Sequence, residues 1–255
     1  MKYTEETYEQ LIRHSYGYSF NEQSQGGCPV VRALYEKNYL NSDGERKIPK
    51  KIHQIWLGSP FPDKYRKFSE SWRKFHPNWE YKLWTDSDVE GFGMKNIALF
   101  RTAQNKGHKS DIFRYEILNR FGGLYIDTDF ECLRSFDDLC YLDFFTGIAY
   151  DAKMGLYNGL IATIPHHPII ENCANSFTDT YNGHIWQVIM DLTGPYYFTR
   201  CFLKNVNRES SGVVAFPTDF FYPLPNNERY LTNPYSKIKP CSYAIHHWDV
   251  TWLIK

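Results

Sequence analysis

Asp127 and Asp129 stand two apart at the end of the run GGLYIDTDF, residues 122–130. If the chain stays extended there, period two puts both carboxylates on one side of it. Paired carboxylates at a strand end offer hard oxygen ligands to Mg²⁺ or Mn²⁺. Just upstream, Asp111 and Arg114 in KSDIFRYEILNRFGG are three apart and share a helix face. Beside the carboxylate pair they can hold a ligand hydroxyl and bind a phosphate or carboxylate. On a solvated face the same two residues are only an ion pair contributing a few tenths of a kcal/mol.

The elements around these residues are legible in outline. Leu124–Ile126 reads as a short apolar strand, entered through Gly122-Gly123 from a helical stretch over 95–120 that breaks near Gly107, with Ser110 and Asp111 at the break. Ile52–Leu57 reads as a buried strand and Tyr81–Trp84 as a second. Between them, residues 63–75 place Tyr65, Phe68, Trp72 and Phe75 at helical steps before Pro77. Strands at 144–149, 157–163 and 212–216, with helices at 168–181 and 195–204, complete an alternation that predicts an α/β domain with a mostly parallel sheet. Residues 1–46, with Tyr8, Leu11 and Ile12 at helical spacing, read as an N-terminal helical extension of a domain over 47–255.

Composition narrows the function. The 255 residues carry 29 basic and 29 acidic side chains, so no general basic field holds nucleic acid. Apolar runs such as FFTGIAY are too short to span a membrane, and MKYTEETYEQ lacks the apolar stretch of a secretory signal. A cytoplasmic protein, touching a membrane at most peripherally through its N-terminal helix or through Lys47, Lys50 and Lys51, is the expectation. The six cysteines form no CxxC pair and read as reduced, mostly packed thiols. Aromatic residues reach 18%, enough to fill a core and still line a groove for bases and sugars.

Taken in order, Ser110-Asp111-x-x-Arg114-Tyr115-x-x-Leu118 and Gly122-Gly123-x-Tyr125-x-Asp127-x-Asp129 resemble the signature of DXD-containing glycosyltransferases. That family is related to the yeast initiating mannosyltransferase, to capsular polysaccharide sugar transferases and to the glucosylating domains of clostridial toxins. Lys50–Gly58, Tyr81–Trp84 with Asp86, Asn158-Gly159, Thr193-Gly194-Pro195 and His246-His247-Trp248 through Trp252 resemble further family segments, so the resemblance covers residues 47–255. It implies a GT-A fold and a retaining, metal-dependent hexosyltransferase of glycan or polysaccharide synthesis, with UDP-hexose or GDP-mannose as donor and a glycan, lipid-linked or protein hydroxyl as acceptor.

The resemblance also implies roles. Trp56 stacks on the base, Asp111 and Arg114 hold sugar hydroxyls or phosphate, and Asp127 contacts ribose, sugar or metal. Asp129 is the direct metal ligand. Ile55, Tyr125, Thr128, Asn158, Thr251 and Trp252 join the donor site. His246 or His247 takes the metal-side role, tilting preference towards Mn²⁺. The family has Ser where Thr251 stands. Two other classes fit parts of the pattern: a Mg²⁺-dependent phosphohydrolase with a DxD strand end, and a non-catalytic carbohydrate-binding protein. The first normally has a small or β-branched residue where this chain has Glu131, and it leaves Asp111 and Arg114 without a role. Asp129, read as an exposed strand-end carboxylate, is expected to matter for turnover and little for stability.

Overall fold

The computed structural model describes residues 28–40, 44–151, 153–177 and 183–249. Its strands are β1 (Lys51–Ile55), β2 (Glu80–Trp84), β3 (Gly123–Ile126), β4 (Phe130–Cys132), β5 (Phe144–Asp151), β6 (Lys153–Thr163), β7 (Val213–Phe216) and β8 (Ala244–His246). Six form one sheet in the order β2-β1-β3-β6-β5-β7, and β4 pairs with β8 beside it. β1 lies parallel to β2 and β3, and β5 parallel to β7, while β6 is antiparallel to both β3 and β5. One reversed strand in six leaves the sheet mostly parallel, as the alternation of elements predicts.

The helices are α1 (Cys28–Tyr35), α2 (Arg66–Phe75), α3 (Asp86–Phe92), α4 (Ile97–Thr102), α5 (Lys106–Phe121), α6 (Pro168–Asn175), α7 (Trp186–Leu192), α8 (Pro195–Lys204) and α9 (Thr218–Phe221). Tyr8, Leu11 and Ile12 lie outside the described residues. Part of the expected extension is described, and it belongs to the core. Val31, Leu34, Tyr35 and Tyr39 are buried, and Tyr35 and Tyr39 meet the rings of Phe216 and Phe220. No helix among the described residues is long and apolar enough to cross a membrane.

Two elements position the site. β3 is buried along its whole length, which is why it reads as a continuous apolar run rather than an alternating one. It packs so tightly on β1 that a Cβ on Gly123, whose φ is +89°, would come within 2.6 Å of the Lys51 carbonyl oxygen. The other element is α5. The expected break near Gly107 falls instead at 103–105, because the Asn105 side chain caps the backbone N–H groups of Gly107 and His108. Gly107 therefore begins a helix rather than interrupting one, and Ser110 and Asp111 lie inside it. The helix expected at 168–181 ends at Asn175.

The basic residues at the entry to β1 are paired: Lys47 with Asp143, Lys50 with Asp137 and Lys51 with Glu80. His53 in β1 is 2% exposed. Its Nδ1 accepts from the Trp84 indole N–H at 3.2 Å, and its Nε2 lies 3.0 Å from the Gly122 carbonyl oxygen. This is an arrangement for a neutral ring protonated on Nε2. Burial pushes its pKa down from 6.5 to about 4, against a weaker upward pull from the Gly122 bond. A histidine with a depressed folded pKa binds its proton more readily in the unfolded chain. Stability is then whole above about pH 6.5 and drains away as pH falls towards 4, by about 3 kcal/mol for this residue. The melting temperature should fall through that window, and His53→Gln, which can keep both hydrogen bonds, should flatten the fall. An unchanged slope in the variant would assign the acid sensitivity elsewhere; burial also lowers the pKa of His167, to about 4.

Candidate active site

The chain leaves the sheet after Ile126 and does not stay extended. Asp127 N–H donates to the Gly159 carbonyl at 2.8 Å, and Phe130 N–H to the Asp127 carbonyl at 3.2 Å. Residues 127–130 are thus a turn. The turn, not strand alternation, brings the two carboxylates together. β6 comes so close that a Cβ on residue 159 would lie 2.7 Å from Asp127 Oδ2, so Gly159 leaves the room that this carboxylate occupies.

β4 then pairs with β8 in the register Phe130↔His246, which sets the His246 ring against the turn. Asp127, Asp129 and His246 each offer one ligand atom, all within 4.8 Å of one another. His246 Nε2 is 3.1 Å from Asp129 Oδ2, and Asp249 N–H donates to the same oxygen at 2.7 Å. His246 Nδ1 is buried without a hydrogen-bond partner. Burial pushes the Asp129 carboxyl up, but the His246 ring and the Asp249 N–H outweigh it and hold the carboxyl below its ordinary range. Asp127 goes the other way, raised by burial and by Asp129 against the pull of Arg114. Two oxygens and one imidazole nitrogen form a donor set that fits Mn²⁺ or Mg²⁺.

His247 does not join them. Alternation past β8 turns it away, so its Nε2 meets Glu131 Oε2 at 3.0 Å and its ring stacks on Phe68. Asp129 itself is 7% exposed, not the exposed strand-end carboxylate expected from sequence.

Asp111 and Arg114 are buried, at 6% and 4% exposure, so they are no surface ion pair. The Arg114 guanidinium lies 3.1 Å from Asp111 Oδ1 and 3.3 Å from Asp127 Oδ1, and donates to the Asn158 carbonyl. It also faces the Tyr125 ring at 4.5 Å, and the Tyr125 hydroxyl donates to Asp127 Oδ1 at 2.8 Å. Asp111 in turn accepts from Asn158 Nδ2 at 2.8 Å and from the Thr193 hydroxyl at 3.0 Å. Burial still raises the Asp111 carboxyl to about 6 against the pull of Arg114. The same desolvation acts on Arg114, but Asp127 and Asp111 overcome it and hold the guanidinium firmly charged.

These groups border a cavity of about 660 Å³. Ile55, Trp56, Asp111, Arg114, Tyr125, Asp127, Thr128, Asp129, Asn158 and His246 all line it. Trp56 is half-buried beside Phe61 and Tyr65, with its indole N–H on the Ser59 hydroxyl at 3.0 Å. It is therefore not a core residue. Thr251 and Trp252 lie outside the described residues. Other lining residues escape sequence reasoning: Lys64, Lys106 and Arg229 bring cations, and Tyr157, Trp186 and Tyr222 bring rings. A lysine bound for a cleft carries no local mark that separates it from a solvated one. Trp248 gave a fainter signal as part of the tail, and it is held at φ +56° with its indole N–H on the Leu224 carbonyl.

Two family profiles match the chain. The profile of the glycosyltransferase sugar-binding region containing DXD motif matches residues 62–145, and that of the alpha 1,4-glycosyltransferase conserved region matches residues 162–252. The chain is 33% identical over 160 residues to inositol phosphoceramide mannosyltransferase 2 of Schizosaccharomyces pombe, covering 60% of this chain and 45% of that protein. It is 29% identical over 153 residues to lactosylceramide 4-alpha-galactosyltransferase of Rattus norvegicus, covering 55% and 40%. The chain thus spans about half or less of the length of these relatives. Among solved structures, the PaToxG glycosyltransferase superposes with a TM-score of 0.48 at 21% identity, over 62% of this chain and 69% of that one.

Proposed function

We propose that this chain, which belongs to the DXD-containing glycosyltransferases, is a divalent-metal-dependent, retaining hexosyltransferase. It would take its sugar from a nucleotide-sugar donor and transfer it to a hydroxyl of a glycan or lipid-linked acceptor. The observation that carries this reading is the Asp127–Asp129–His246 cluster on the wall of a cavity that also holds Trp56 and the Asp111–Arg114 pair. The relatives named as an inositol phosphoceramide mannosyltransferase and a lactosylceramide 4-alpha-galactosyltransferase support a lipid-linked acceptor.

In this reading Asp129, Asp127 and His246 would hold the cation, which would supply Lewis-acid stabilisation of charge on the leaving diphosphate. Arg114 pulls against the upward push of burial on the Asp127 carboxyl and fixes it through their 3.3 Å contact. The Trp56 ring is the platform for the base. Both carboxylates closest to Arg114 are already engaged, Asp111 by Asn158 and Thr193 and Asp127 by Tyr125. Neither is poised as a covalent nucleophile. That supports attack by the acceptor hydroxyl on the face from which the diphosphate leaves, with a leaving phosphate oxygen accepting the hydroxyl proton. A phosphohydrolase reading gives the Asp111–Arg114–Asn158 network nothing to do.

The test is a screen of UDP-hexoses and GDP-mannose for thermal stabilisation, with Mn²⁺, with Mg²⁺ and with chelator. One donor should raise the melting temperature, and only with metal, since a ligand that binds only the folded state stabilises it by RT ln(1 + [L]/Kd). Trp56→Ala should weaken that donor by about 1–3 kcal/mol, the worth of a base–aromatic stack. Equal stabilisation in chelator, or none by any donor, would overturn the reading.

A further inference from the structure

Gln54 stands near the end of β1 and is 0% exposed. An amide buried that completely costs free energy unless its polar atoms find partners. Its Oε1 accepts from the Ser69 hydroxyl of α2 at 3.0 Å and from the Tyr81 hydroxyl of β2. Its Nε2 donates to the main-chain carbonyl of Asp127 at 3.3 Å. A carbonyl can only accept, so the nitrogen end of the amide must face Asp127 and the oxygen end the two hydroxyls. This contact falls where the pairing of β1 with β3 runs out. The two strands pair as far as His53↔Tyr125, and beyond it the Trp56 N–H goes to the Trp84 carbonyl of β2 at 2.9 Å. A side chain therefore links β1 to the first residue of the turn. On the other flank of β3 the Asp127 N–H donates to Gly159 of β6 at 2.8 Å. Asp127 is thus held from both neighbouring strands after its own strand has ended.

We propose that Gln54 is a positioning residue: by holding the Asp127 carbonyl it fixes the 127–130 turn in the geometry that brings Asp127, Asp129 and His246 within 4.8 Å of one another. The same side chain ties that cluster to the strand leading into Trp56, two residues further along the chain. One residue thereby sets the cation site against the base platform. The strand itself has no need of an amide, since Ile52 and Ile55 serve it as buried apolar residues. Gln54 does not line the cavity, so it acts through Asp127 and not on a ligand. The inference rests on the cation-site reading above and adds a residue outside the cavity on which that site depends.

The test is a titration of the full chain with Mn²⁺ alone, followed by the electron paramagnetic resonance of the free ion, with Asp129→Asn marking the site. Gln54→Met, which fills a similar volume without a donor, should weaken the binding that Asp129→Asn removes by about tenfold or more, the usual cost of losing a group that orients a metal ligand. That variant strands the Ser69 and Tyr81 hydroxyls, so its melting temperature should fall as well. Adding Ser69→Ala and Tyr81→Phe leaves no hydroxyl stranded and should recover the melting temperature but not the Mn²⁺ affinity. Ser69→Ala with Tyr81→Phe, keeping Gln54, should bind Mn²⁺ within about threefold of wild type, the scatter of changes that leave a site alone. A merely structural role would instead make affinity follow melting temperature across all three variants. The inference is overturned by wild-type affinity in the triple variant, by an equal loss when Gln54 is kept, or by failure of both Gln54 variants to fold. A wild-type chain without a Mn²⁺ site sensitive to Asp129→Asn would bring down the cation-site reading itself, which is a different failure.

Discussion

Asp129→Asn is expected to remove metal-dependent cleavage of the donor, lowering its rate by about 10²–10³-fold or more, the usual cost of losing one group that stabilises developing charge. Asparagine keeps the shape of the side chain and a carbonyl oxygen able to accept from Asp249 N–H, but not the negative charge with which Asp129 would hold a cation. Asp129 is buried, and one of its oxygens serves both His246 and Asp249. The substitution therefore also weakens the hold on the segment after β8. Exchanging a charged acceptor for a neutral one there should cost about 1–2 kcal/mol, partly offset by relief of the repulsion that raises Asp127. A donor-hydrolysis assay with and without Mn²⁺, run beside thermal denaturation, separates the two effects. Turnover within tenfold of wild type, still responsive to Mn²⁺, would remove Asp129 from the metal site.

What the sequence discloses about this site depends on how local each feature is. β3 and its two carboxylates are legible because an apolar run behind a glycine pair is a short-range pattern, and so is the shared face of Asp111 and Arg114 on α5. The burial of that pair is not. It is imposed by Asn158 and Thr193, which lie 47 and 82 residues beyond Asp111, and i,i+3 spacing is the same on a wet face as on a dry one. Likewise, DTD suggests a continued strand, yet the chain turns because the Asp127 N–H is taken by Gly159 and the Phe130 N–H by Asp127 itself. The choice between His246 and His247 rests on the β4–β8 register. Two adjacent histidines in a tail carry no record of which faces the carboxylates. The GT-A resemblance supplied the order of the segments, and the register sets His246 rather than His247 beside the carboxylates.

Arg114→Met should destabilise the protein by about 3–5 kcal/mol, the range for stripping one partner from a buried ion pair, and lower the melting temperature by roughly 10 °C. The guanidinium is the common counter-charge to Asp111 and Asp127 and lies over the Tyr125 ring. Methionine fills the volume but leaves two carboxylates in a site where burial already raises the pKa of both. Without Arg114 both rise further. A carboxyl whose folded pKa exceeds its unfolded one contributes stability below the unfolded pKa and loses it as pH climbs through the folded value. The variant should therefore suffer most at about pH 8 and regain ground against wild type as acid protonates the stranded carboxyls, so the gap in melting temperature narrows towards about pH 5. Adding Asp111→Asn to Arg114→Met should recover part of the loss near neutral pH, since the second change removes one of the charges the first left unpaired. A gap under about 1 kcal/mol, or one that stays constant across this range, would mean that Arg114 is not the charge holding Asp111 and Asp127 together. The ordering of Asp127 for donor chemistry would then have to come from Tyr125, Gly159 and Gln54.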